Sequence, residues 1–200
     1  MKFIMNFNYK LQTNKEDNNE TEESEVYNII TKGNEIYFYE DIDKEQILQL
    51  ISQIKDLNYN LQIQAFQYGF QPIIHLHLYS NGGDAFMGLS AYDFIRNNPV
   101  PIYTYIDGMI ASAATFIYLA GYRRFMNETS TVLIHQISTT FWGKFEDLKD
   151  ECKNSTELMK IVKDIYSSHT NMKKKNLDEL LKRELLLTYN DCSKINFYTN

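Results

Sequence analysis

The chain has 200 residues, 44% apolar and 23% charged, with 20 Lys and Arg against 26 Asp and Glu for a formal charge of −6. This composition fits one globular domain with a sizeable core and excludes a disordered chain. With no basic stripe among aromatics it argues against a nucleic-acid partner, and no uncharged apolar run reaches the roughly 18 residues of a membrane span.

The start, "MKFIMNFNYKLQ", lacks the small-residue cleavage site of a secretion signal. Residues 13 to 26, "TNKEDNNETEESEV", are acidic and almost free of apolar side chains, so a flexible arm is expected over residues 1–32 and a single domain over residues 33–200. A short strand is predicted at Glu35 to Tyr39. A helix follows, with Ile47, Leu50, Ile51 and Ile54 at spacings of three and four. "PIIHLHLYSNGG" predicts a buried strand ending in a glycine turn, and "AFMGLSAYDFIRNN" the next helix. Strand, glycine turn and helix recur in "VPIYTYID" and "GMIASAATFIYLAGY". A third strand, "RFMNETSTVLIHQI", leads into a long helix. Strands separated by helices predict an α/β domain with a largely parallel sheet, because parallel neighbours need crossover connections. Cys152 and Cys192 form neither a CxxC nor a metal-ligand spacing, so free thiols and a cytoplasmic location are expected.

In such sheets the chemistry gathers where strands end and helices begin. Gly82-Gly83 would let backbone N–H groups approach a ligand, although a glycine pair equally makes a plain tight turn. Ser112 stands on a strand-to-helix turn beside Ala111, Ala113 and Ala114. A helix N-terminus could hold an oxyanion there, although small residues equally serve close packing. His135 ends the apolar strand "TVLIHQIS", where a histidine is either a core residue or the base that a serine nucleophile requires.

Taken in order, "SNGG", "GMIAS" and "IHQI" resemble the Ser-Pro-Gly-Gly, Gly-x-Ala-Ser and His-Gln-Pro segments of the ClpP family, the proteolytic subunit of the ATP-dependent Clp protease. The intervals, 29 residues from Gly83 to Ser112 and 23 from Ser112 to His135, are close to the family spacing. The resemblance runs from about Ile36 to Cys192. It implies a ClpP/crotonase-like fold of repeated β-β-α units in a superhelix, with a projecting handle helix at about residues 143–169. It implies Ser112 as nucleophile, His135 as general base, and the amides of Gly83 and Ala113 as oxyanion hole. The family's triad aspartate falls at Glu184, with Asp178 as fallback. In "NLDELLKRELLL", Leu177, Leu180, Leu181 and Glu184 follow i, i+3, i+4 and i+7, so Glu184 is expected on a core-facing helical stripe.

Phe145, Leu148, Cys152, Ser155, Met159, Val162, Tyr166 and His169 form a heptad-like seam that suits either the handle or a plain amphipathic helix. His169 belongs to that seam and is given no catalytic role. The implied assembly is a homo-oligomer of two stacked seven-membered rings. It would be fed polypeptides by a AAA+ unfoldase of the ClpX or ClpA type, with no cofactor and no metal. His75 and His77 share a strand face where the family more often carries aromatics that help dock the ATPase. A docking or structural role is therefore expected rather than a metal pair, since no further ligands cluster there. Asn81 and Ile137 replace family prolines, "STTFWG" lacks a glycine pair, and "SKINFYTN" lacks the usual glycine-containing strand. These departures suggest a divergent, virus-encoded member acting in a host cytoplasm. They keep three alternatives open: a non-catalytic subunit, a capsid-maturation protease, and a crotonase-type acyl-CoA protein.

Overall fold

The computed structural model describes residues 29–199. Residues 1–28 of the expected arm lie outside them, whereas Ile29–Lys32 form strand β1, paired antiparallel with β2 (Glu35–Phe38). Asp43 caps the next helix, accepting from Gln46 N–H at 2.8 Å, and Gly69 closes it at φ = 72° with its N–H on the Ala65 carbonyl. Between these signals α1 runs over Lys44–Tyr68. There follow β3 (Ile74–Ser80), α2 (Ala85–Arg96), β4 (Ile102–Ala111), α3 (Ala114–Leu119), β5 (Arg123–Met126) and β6 (Thr131–Leu133). The chain ends in α4 (Phe145–His169), α5 (Lys174–Leu181), β7 (Leu186–Leu187) and α6 (Tyr189–Lys194).

The strands form one sheet in the order β1-β2-β3-β4-β6-β7, with β5 also on β4, and all pairings from β2 to β6 are parallel. Alternation of side chains sends Ile36, Leu76, Leu78, Ile106 and Ile110 into the core. The same alternation turns Tyr37, His75, His77, Tyr103 and Tyr105 to the opposite face, which no helix among the described residues buries.

Two elements depart from the sequence expectation. The strand "VPIYTYID" does not stop before Gly108; β4 continues to Ala111 through an irregularity in which Leu78 pairs Ile106 but Ser80 pairs Ile110. Two residues on β3 thus oppose four on β4, and this bulge bends β4 away from β5 and onto β6. The expected third strand is correspondingly split into β5 and β6, each serving one half of β4.

Helix α4 occupies nearly the expected handle range. Only Val162, Ile165 and Tyr166, all in its C-terminal third, are buried. The rest of the seam divides: Ser155 and Met159 are half-buried, while Phe145, Leu148 and Cys152 are exposed. Cys192 is buried, and both cysteines are free thiols. Tyr166 ties the helix to the body. Its hydroxyl donates to Thr115 Oγ1 at 2.6 Å, and Thr115 donates to the Ser112 carbonyl at 2.6 Å.

His169, the last residue of the seam, sits in a polar cluster. Buried Arg124 donates to His169 Nδ1 at 3.2 Å and to its carbonyl at 3.1 Å. Since a guanidinium only donates, Nδ1 must accept, so the imidazole carries its proton on Nε2, which donates to Tyr92 Oη at 2.8 Å. Burial first, then the Arg124 and Arg96 charges, push His169 down to about 4.

Candidate active site

The site is built where β4 hands over to α3. Ser112 occupies that turn at φ = 54°, a left-handed conformation that few non-glycine residues adopt. Its N–H donates to the Leu133 carbonyl at 2.9 Å and its carbonyl is held by Thr115, so the surroundings enforce the unfavourable backbone. The turn raises the hydroxyl out of the strand end. Backbone strain at such a corner recurs where a serine nucleophile must be presented.

The glycine pair packs beneath this corner. A Cβ on Gly82 would lie 2.6 Å from Ser112 Cβ and 2.7 Å from the Ala111 carbonyl oxygen. One on Gly83 would lie 2.2 Å from the Ile42 carbonyl oxygen. Both glycines also have positive φ, 94° and 146°, so neither space nor backbone admits another residue. The close approach leaves two donors uncommitted. The N–H groups of Gly82, Asp84 and Ser112 all have acceptors, whereas those of Gly83 and Ala113 have none among the described residues. Both residues line the cavity that also holds Ser112 and His135. An amide pair without acceptors beside a serine is what a developing oxyanion requires.

His135 lies two residues past β6. Its Nδ1 is 2.6 Å from the Gln136 carbonyl, which can only accept, so neutral His135 carries its proton on Nδ1. Nε2 then bears the lone pair that a general base needs. Ser112 and His135 line one cavity of about 680 Å³, without a hydrogen bond between their side chains in this conformation.

The expected placement of Glu184 on a core-facing helical stripe meets a correction. Helix α5 stops at Leu181, because the Leu181 carbonyl accepts Gln136 N–H at 2.8 Å and the chain then pairs Leu186 and Leu187 with β6. Leu177 and Leu181 are buried as the stripe predicted, but Glu184 lies beyond the helix, exposed, with no hydrogen bond or ion pair among the described residues. The antiparallel pairing of β6 with β7 ends at Leu133 and Leu186, two residues after Glu184 in the chain. Asp178 pairs instead with Lys163 at 2.7 Å, which draws its carboxyl below the ordinary range.

His75 and His77 belong to the other face of the sheet. His77 Nδ1 is 2.8 Å from Asp107 Oδ2, and His75 Nδ1 is 2.8 Å from the Tyr105 hydroxyl. Among the described residues no group of three or more His, Cys, Asp or Glu is placed to hold a metal ion, and no helix is long and apolar enough to cross a membrane. Sequence reasoning missed the part played by the Gln136 carbonyl. Its signal is only that a residue adjoining a strand-end histidine offers a carbonyl, which every residue does.

Comparison with known proteins agrees with this fold. The ATP-dependent Clp protease proteolytic subunit of Deinococcus radiodurans is 24% identical over 172 residues, covering 85% of this chain and 80% of that protein. A ClpP1 mutant from Listeria monocytogenes has the same fold, with a TM-score of 0.71 at 18% identity over 83% of this chain and 89% of that one. The signature described as Clp protease matches residues 18–197, a span that takes in the glycine pair, the serine corner and the histidine together, and the chain therefore belongs to the Clp protease family.

Proposed function

We propose that this chain is a serine endopeptidase that cleaves unfolded polypeptides. One observation carries the reading: Ser112, held at φ = 54°, shares a cavity with His135 and with the unpaired N–H groups of Gly83 and Ala113. His135 Nε2 takes the Ser112 proton as Oγ attacks the scissile carbonyl, and the two amides receive the oxyanion. The imidazolium then returns the proton to the leaving amine, and water repeats the sequence to release the acyl group. Glu184 is the proposed acid, three residues past α5 and two before β7, without a hydrogen bond or ion pair among the described residues. The Gln136 carbonyl already selects the reactive tautomer but cannot neutralise the imidazolium as a carboxylate does.

Two surfaces support assembly. Exposed Phe145, Leu148 and Trp142, at 70%, 43% and 98%, leave the start of α4 without a cover, which suits joining of rings through the handle. The open sheet face carries a four-ring stack. Tyr37, His77, Tyr105 and Phe125 follow one another at 4.7, 4.6 and 4.8 Å with interplanar angles of 10–20°. Parallel sheets are seldom left bare on one face, so this stack suits a docked partner. The Deinococcus relative is named for an ATP-dependent protease, and a AAA+ unfoldase is the partner proposed here. A cytoplasmic site of action and paired seven-membered rings belong to the same reading.

A second reading, a non-catalytic subunit, draws on the unpartnered Glu184. Hydrolysis of a short fluorogenic peptide, with particle mass measured alongside, separates the two. The peptidase reading expects turnover that Ser112→Ala abolishes in an intact particle. Equal background rates for both proteins would establish the silent subunit.

A further inference from the structure

The cavity beside Ser112 carries charge of one sign. Apolar side chains of Phe116, Ile137, Leu158 and Val162 line its wall, and no Lys or Arg is among its lining residues. Glu151 lines it as well, from the second turn of α4. Glu157, which also lines the cavity, pairs with Lys160 at 2.6 Å, and elsewhere on this helix Glu146 pairs with Lys149 at 2.9 Å and Asp150 with Lys153 at 3.3 Å. Glu151 is half-buried, and among the described residues its one hydrogen-bond partner is the Thr139 hydroxyl, which donates at 3.5 Å. Asp84 also lines the cavity. It accepts from Met87 N–H at 3.0 Å and has no cationic partner among the described residues. Of the two α4 carboxylates that line the cavity, Glu157 has a cation and Glu151 has none among the described residues.

We infer that this cavity takes a lysine or arginine side chain of the substrate, with the apolar stem along Ile137 and Leu158 and the cation at Glu151. Long basic side chains bury their methylenes while presenting a charged head, which matches an apolar wall ending in a carboxylate. A hydrogen bond to a charged group in a partly desolvated site is worth about fivefold or more in affinity. This inference rests on the reading of Ser112 as nucleophile, since that serine fixes where the scissile bond lies.

Two measurements on the assembled protein test it. The first compares kcat/KM for fluorogenic peptides identical except for Arg, Leu or Glu before the scissile bond. The second measures, by anisotropy, the binding of labelled peptides of the same series to Ser112→Ala protein. Arg is expected over Leu by about fivefold or more in both, with Glu last. Glu151→Gln should shrink the Arg-to-Leu ratio, and the exposed Glu146→Gln should leave it unchanged. Leu matching or exceeding Arg, or a ratio indifferent to Glu151→Gln, overturns the inference. Arg-selective, Glu151-dependent binding without hydrolysis supports it and removes the catalytic reading. Hydrolysis that needs Ser112 but ignores charge does the reverse.

Discussion

Replacing Gly82 by alanine probes the packing that presents Ser112. The new Cβ would sit 2.6 Å from Ser112 Cβ and 2.7 Å from the Ala111 carbonyl oxygen, in a residue whose φ is 94°. The left-handed backbone costs roughly 1–2 kcal/mol without glycine's freedom, and overpacking a tight contact adds roughly 1–3 kcal/mol. Their sum, about 2–5 kcal/mol, is a large share of ordinary domain stability and lowers Tm by at least about 4 °C. The contact is to the serine turn itself, so peptidase activity should fall further than stability does. Gly33→Ala supplies the comparison: φ is 64° there, but nothing lies within 4 Å of the added Cβ, so only the backbone cost applies. Thermal unfolding and peptide hydrolysis on both variants decide the matter. A Gly82→Ala protein that unfolds within 1 °C of Gly33→Ala and hydrolyses peptide at the parent rate would refute the packing argument.

Three further outcomes follow from the same geometry. Ser112→Gly should be inactive yet more stable than Ser112→Ala by about 1 kcal/mol in denaturant unfolding, because glycine relieves the left-handed strain; equal midpoints would show that the turn stores none. Glu184→Gln should lower kcat by about 10³–10⁴-fold if its carboxylate supports the His135 imidazolium, whereas Asp178→Asn, which loses only a surface ion pair, should change it little; a loss below tenfold for Glu184→Gln would leave a Ser112–His135 dyad held by the Gln136 carbonyl. His169, held at about 4 against an ordinary 6.5, stays neutral in the folded chain while the unfolded chain takes up a proton, so stability should fall as pH drops from about 6.5 towards 4. His169→Gln should flatten that slope of Tm against pH; an unchanged slope would place the titration elsewhere.

The elements of the candidate site were legible because each stands where a periodic run gives way to small residues. "SNGG", "GMIAS" and "IHQI" mark the ends of β3, β4 and β6, and the structure brings the three ends together at one cavity. The parallel sheet was legible from strands spaced by helices. What escaped depends on partners distant in sequence. Nothing in "KRELLL" stops a helix; α5 ends because Gln136 N–H takes the Leu181 carbonyl and β6 pairs the residues beyond. The passage of β4 through Gly108 is likewise set by neighbours. Its first half needs β5 and its second half β6, and the two-residue excess opposite β3 allows the change. The burial of Arg124 against His169 follows from the meeting of α4 with β5, and no local pattern in "GYRRFM" distinguishes Arg124 from exposed Arg123.

Labelling with a fluorophosphonate tests the central claim most directly, since the reagent modifies a serine only where a base activates it. In native protein we expect a single adduct, mapped by mass to the peptide containing Ser112, formed at a rate that His135→Ala lowers by several orders of magnitude. Absence of any adduct at Ser112 in the assembled particle, or an adduct whose rate is indifferent to His135→Ala, would contradict the account.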